Sequence, residues 1–209
     1  MKKLLVATVA TLAMGAVVMP AVAQATPDLK DNGVPIGGTT LAYSYTTSAS
    51  GTPRILLTAS NGATVACTLT VSSGSTSSWV GMTDRAFVAA GDLAFNNCVS
   101  NTGCPVTATN NNDIDVVFTE AGGTYTATLS NISFTDFLLP SPPCPGGLTF
   151  TGTLATDVQH DAAACGGNGG LVLEFTAGGG TLAGPGGLTA IAAGFQVICL
   201  QSGGDLTIV

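Results

Sequence analysis

Positive charge is the scarcest commodity in this chain. Five Lys and Arg stand against 12 Asp and Glu, and charged residues make up only 8% of the sequence. Two of the five, Lys2 and Lys3, belong to an N-terminal export pattern. Beyond residue 25 only Lys30, Arg54 and Arg85 remain against all 12 acids, a net charge of −9. Such a surface repels phosphate backbones, and no Lys/Arg cluster exists to offset that, so nucleic acid and anionic lipid heads are excluded as partners. Histidine occurs once, as His160, and tryptophan once, as Trp79. No two cysteines have the close C-x-x-C type of spacing used by zinc sites and redox centres, and no G-x-S-x-G nucleophile elbow is present. No cofactor is expected. Helical patterning is missing too: the one candidate, Gly187 to Gly194, is short and has glycine at both ends.

What the chain does contain is a compartment signature. Lys2 and Lys3 lead an uncharged apolar stretch from Leu4 to Met19. Small residues then fall at A-x-A spacing, with Ala21 and Ala23 before Gln24, or Ala23 and Ala25 before Thr26. The stretch is shorter than the ~20 residues that cross a bilayer. Residues 1–25 therefore read as a cleavable secretory signal of bacterial type, and 26–209 as one extracellular or periplasmic domain with no membrane span after cleavage. All six cysteines, Cys67, Cys98, Cys104, Cys144, Cys165 and Cys199, lie downstream of it. An even count in an exported chain implies a disulfide framework. Sequence does not choose the pairing; the favoured one is sequential, Cys67–Cys98, Cys104–Cys144 and Cys165–Cys199. Cys67 and Cys199 fall on the apolar phase of expected strands, whereas Cys98, Cys104, Cys144 and Cys165 fall in Asn-, Pro- or Gly-rich turns.

Period-two alternation runs through the rest, the mark of half-buried strands. Val65, Cys67, Leu69 and Val71 alternate with hydroxyl and small residues; Ile114, Val116 and Phe118, then Tyr125, Ala127 and Leu129, repeat the pattern. After Asn131 the phase slips by one, which predicts a bulge there. Leu148, Phe150 and Leu154 follow, then Leu171, Leu173 and Phe175, then Phe195, Val197 and Cys199, and a terminal strand through Leu206 and Ile208. Asn61-Gly62 and Gly122-Gly123 are hairpin turns, and Gly166 to Gly170 reads as a flexible loop. The fold class expected is all-β: an antiparallel β-sandwich or jelly-roll-like arrangement of roughly ten strands, stabilised by disulfides.

Chemistry has few candidates. A Ser-His-Asp hydrolase would need His160, flanked by Asp157 and Asp161, as its base; the competing reading is a solvent-exposed loop histidine. Asp113 and Asp115, two apart, would share a strand face, but a glycosidase cleft also needs aromatic platforms, and Trp79 stands nearly alone. Asn110 to Asp113 and Asp115 concentrate the hard oxygen atoms that Ca²⁺ prefers, with Asn111, Asp113 and Asp115 the candidate ligands. Asparagine-rich turns also form without a cation, so neither catalytic nor metal residues are expected.

Ala66-Cys67-Thr68-Leu69-Thr70 after an Asn-Gly turn, Phe95-Asn96-Asn97-Cys98, and Gly123-Thr124-Tyr125-Thr126-Ala127 leading to Leu148 to Thr153 give residues 39–209 a further character. They resemble small secreted bacterial β-proteins of the alkane-oxidation activator type. That resemblance implies an extracellular accessory protein that assists growth on hydrophobic substrates without catalytic residues of its own. The functional expectation is a secreted or cell-surface non-enzymatic β-protein that binds or assembles. Its partners would be other copies, met through β-edges, or an apolar or cell-surface ligand. The alternative is an extracellular hydrolase using His160.

Overall fold

The computed structural model describes residues 26–36, 43–46, 55–71, 85–101, 103, 108–134, 148–200 and 203–209. The signal segment 1–25, Trp79, Cys104 and Cys144 lie outside them. Among the described residues fifteen strands form: β1 Leu29–Asp31, β2 Val34–Pro35, β3 Tyr43–Thr46, β4 Ile55–Ala59, β5 Thr64–Val71, β6 Arg85–Val88, β7 Leu93–Ser100, β8 Ala108–Thr109, β9 Ile114–Ala121, β10 Thr124–Phe134, β11 Phe150–Cys165, β12 Asn168–Phe175, β13 Leu182–Ala183, β14 Thr189–Leu200 and β15 Leu206–Ile208. The expected all-β, disulfide-stabilised fold is what the chain adopts. Ten of the strands have four residues or more; the rest are short clips. Among the described residues the nearest thing to a helix is one 3-10 turn at Pro185–Gly187.

Twelve strands make one sheet in the order β6-β9-β10-β11-β12-β14-β4-β5-β7-β8, with β3 and β13 attached beside β14. Its ladders between strands are antiparallel. The sheet curls until its β8 end reaches β10, the third strand from its other end. Asn110, just past β8, bridges Phe134 at the end of β10, and the rings of Phe95 and Phe134 meet edge-to-face at 4.6 Å inside the seam. A second, three-stranded sheet, β15-β1-β2, places Leu29, Leu206 and Ile208 in the same hydrophobic core as the large sheet.

The alternation explains the packing. Ile114, Val116 and Phe118 are at most 1% exposed, as are Phe150, Leu171 and Leu173, and all face one another inside the curled sheet. Each such side chain contributes about 1.5–3 kcal/mol by leaving water. The expected bulge also forms: the β10–β11 register shifts between Leu129 and Ile132, and Asn131 sits at φ 60°. The extra residue turns Ile132 and Phe134 back to the core.

Turns follow their glycines. Gly122 and Gly123 both have positive φ and join β9 to β10, a two-residue hairpin. Asn61-Gly62 makes a hairpin of a different type: Gly62 alone takes positive φ, and the Asn61 side chain accepts from the Ala63 amide at 3.0 Å.

Three expectations need correction. Gly166 to Gly170 is no loose loop. Gly166 and Gly167 form a tight turn, and Asn168, Gly169 and Gly170 are already strand β12. Cys98 and Cys165 lie in strands β7 and β11, not in turns. The phase assigned to β14 was also reversed. Ala190, Ala192, Ile198 and Leu200 join the main core, while Val197 and Cys199 belong to a separate cluster with Ala164 on the other face. Both faces of the C-terminal half of β14 are buried, so alternation there has no exposed phase to reveal it.

Candidate functional site

His160 stands on β11, opposite Leu171 of β12, so it is a strand residue and not the loop histidine expected. Its Nε2 lies 2.9 Å from Asp205 Oδ1, with side-chain exposures of 31% and 44%. Gly169 makes the contact possible, because a Cβ at that position would overlap both Asp205 Oδ1 and His160 Nε2. Asp205 is itself held by the terminal clip. Its carbonyl accepts from the Asn32 amide at 2.9 Å, and its amide donates to Asn32 Oδ1 at 3.2 Å. Asn32 and Gly33, both at positive φ, make the two-residue turn between β1 and β2.

Asp205 carries no motif that would flag it, since its partner is 45 residues away. The Asn32-Gly33 turn was legible and was passed over. A carboxylate on an imidazole is the orienting half of a Ser-His-Asp arrangement. Among the described residues, His160 makes that contact and none to a serine hydroxyl. An ion pair this exposed contributes about 0–1 kcal/mol.

The asparagine run is built as a joint. Asn110 is 1% exposed. Its Oδ1 accepts from the Leu93 amide at 2.9 Å, and its Nδ2 donates to the carbonyls of Ala89 at 2.8 Å and Asn112 at 2.9 Å. Asn111 Nδ2 donates to Ser133 Oγ at 3.1 Å, and Asp113 Oδ1 accepts from the Ala90 amide at 2.9 Å. Asp115 is the second residue of β9, opposite Phe87 and Ser130. These groups stitch β7, β9 and β10 together where the sheet closes. Among the described residues no three His, Cys, Asp or Glu side chains gather as a metal site.

Two disulfides are present among the described residues, Cys67–Cys98 and Cys165–Cys199, with Cα separations of 4.1 and 5.7 Å. Both belong to the sequential pairing; Cys104 and Cys144 lie outside the described residues. Cys67 faces a bulge in β7, where the register shifts between Ala66 and Thr68 and Asn97 takes φ 50°. The second bridge joins the end of β11 to β14 and crosses Gly170, whose hydrogen leaves room for Cys165 Sγ. Ala164, Val197 and Cys199 are buried beside it, with Val172 and Phe195 packed against them.

Next to this cluster, on the outer face of β11, β12 and β14, lies a groove of about 350 Å³. Val172, Phe195 and Val197 line it together with Asp161 and Glu174. A space inside the core measures about 40 Å³ and is lined by apolar side chains such as Leu57, Phe95 and Leu154. Ligand pockets measure roughly 300–1,000 Å³, so the outer groove has the dimensions of one and this space does not.

No protein-family model, curated protein or solved structure matches this chain. The fold defines its class, an antiparallel β-protein closed on itself and stapled by disulfides. Such bridges are compatible with an oxidising, extracytoplasmic compartment. Among the described residues no helix is long and apolar enough to cross a membrane.

Proposed function

We propose that this chain is a secreted or cell-surface binding protein that performs no chemistry and holds its ligand on the outer face of β11, β12 and β14. The observation that carries the reading is the groove of about 350 Å³ beside the Cys165–Cys199 bridge. A bridged wall is pre-organised, so little ordering entropy opposes binding. Assembly through strand edges has weaker support. Among the described residues β6 is an edge strand of four residues that opens with Arg85, and short, charged edges discourage strand addition.

The second reading, an extracellular hydrolase using His160, draws on the Asp205 carboxylate at 2.9 Å. One experiment separates the two. Purified protein and its Phe195→Ala and His160→Ala variants are screened by NMR against a mixed fragment set, and in parallel against ester, glycan and peptide substrates. Binding that shifts the amides of β12 and β14 and is lost in Phe195→Ala supports the binding reading. Turnover that disappears in His160→Ala replaces it with the hydrolase.

A further inference from the structure

The ligand class can be narrowed from the groove's walls, an inference that rests on the binding reading above. Its floor is apolar, from Val172, Val197 and the ring of Phe195. Among the described residues its charged groups are acidic: Asp161 and Glu174 line it, and Asp157 lies directly across the ladder from Glu174. All three carboxylates are exposed. Opposed residues on one sheet face have Cβ atoms about 4.5–5.5 Å apart, and like charges there destabilise the pair. Among the described residues no basic side chain pairs with Asp157 or Glu174. The basic residues described are Lys30 and Arg85, on β1 and β6, neither of which adjoins β11 or β12 in a ladder.

Each competing ligand chemistry meets an obstacle. A bare metal ion wants converging oxygen atoms, and these carboxylates do not gather with a third His, Cys, Asp or Glu into a metal-holding group. A neutral hydrocarbon would strip water from Glu174 and Asp161 and return nothing for it. An anion is repelled at the rim and by a chain of net charge −7. A cation with an apolar body meets none of these. Its charged head relieves the Asp157–Glu174 repulsion, and its body covers the half-buried Val172 and Phe195. The ring of Phe195 also attracts cations through its face.

We infer that the groove is a site for a small organic ammonium ion, an alkylamine-type ligand whose head sits at Glu174 and Asp157 and whose chain lies on Phe195 and Val172. The groove's volume matches a small molecule.

The test titrates isotope-labelled protein with n-hexylammonium and, separately, with n-hexanol, following the amides of Val172, Glu174 and Phe195. Hexylammonium is expected to bind saturably, about tenfold tighter than hexanol, and to weaken as ionic strength rises. Glu174→Gln should weaken it roughly fivefold while leaving hexanol binding unchanged. The same variant should melt no lower than the parent, because one member of the opposed pair is neutralised. Equal affinity for hexanol and hexylammonium, or no loss in Glu174→Gln, overturns the ammonium site while the groove remains a binding site. Absence of saturable shifts with both probes overturns the ammonium site; if the fragment set also leaves these amides unmoved, the binding reading falls with it.

Discussion

Cys165 Sγ passes over the backbone of Gly170, in the space a side chain there would occupy. The disulfide and the glycine therefore depend on each other across β12. Gly170→Ala is expected to displace the Cys165–Cys199 bridge and to lower stability by about 2–4 kcal/mol, the usual worth of a disulfide. Denaturant unfolding measures the loss, and peptide mapping without reductant shows whether the bridge still forms. An unchanged midpoint with an intact bridge contradicts the packing described.

Asn110 closes the sheet with all its side-chain polar atoms engaged while 1% exposed. Asn110→Ala strands the Leu93 amide and the Ala89 carbonyl in the seam. Each orphaned group costs about 1–3 kcal/mol, so a loss of about 2–4 kcal/mol is expected on urea titration. Asn112→Ala, at an exposed position of the same turn, should stay within about 0.5 kcal/mol.

The bulge in β10 turns on the left-handed backbone of Asn131, φ 60°. Its Nδ2 also donates to the Asp113 carbonyl at 2.9 Å. Asn131→Val must take a conformation that costs a branched residue about 1–2 kcal/mol, in addition to the lost hydrogen bond. Asn131→Gly loses only the bond. The valine variant should be clearly the less stable of the two in calorimetry; equal melting temperatures would dissolve the account.

Thr68 Oγ1 is buried and finds no hydrogen-bond partner among the described residues. Replacing the hydroxyl by a methyl of the same shape removes that penalty, so Thr68→Val is expected to raise stability by about 1 kcal/mol. A destabilised variant would mean the hydroxyl has a partner in solution.

His160→Ala should leave stability within about 1 kcal/mol, because the pair with Asp205 is more than a third exposed on the aspartate side and solvent screens it. Thermal melts of the variant and of Asp205→Asn measure this. A drop of several kcal/mol in either would show that the contact locks β11 to the terminal clip more firmly than its exposure implies.

Local pattern was legible, and long-range placement was not. Ile114, Val116 and Phe118 announced a strand and its buried face because one face of β9 touches the core and the other does not. The slip at Asn131 was readable for the same reason. In β14 the rule failed: residues from Gln196 to Leu200 are buried on both faces, so Phe195, Val197 and Cys199 looked like core when they floor an outer cluster. His160 could be singled out as the lone histidine, but Asp205 meets it only through the pairing of β1 with β15, which no local signal encodes. The groove was equally hidden, since its residues come from three strands and become neighbours through registers such as Asp157 against Glu174 and Val172 against Val197.

Leu29 is paired with Ile208 in the small sheet, and the Asp28 amide donates to the Val209 carbonyl at 2.8 Å. Strand β1 meets β2 across a two-residue turn, but a ribosome must make nearly every described residue before β15 can pair its other side. Until then the three-stranded sheet is only a hairpin, and its central strand is open along one edge.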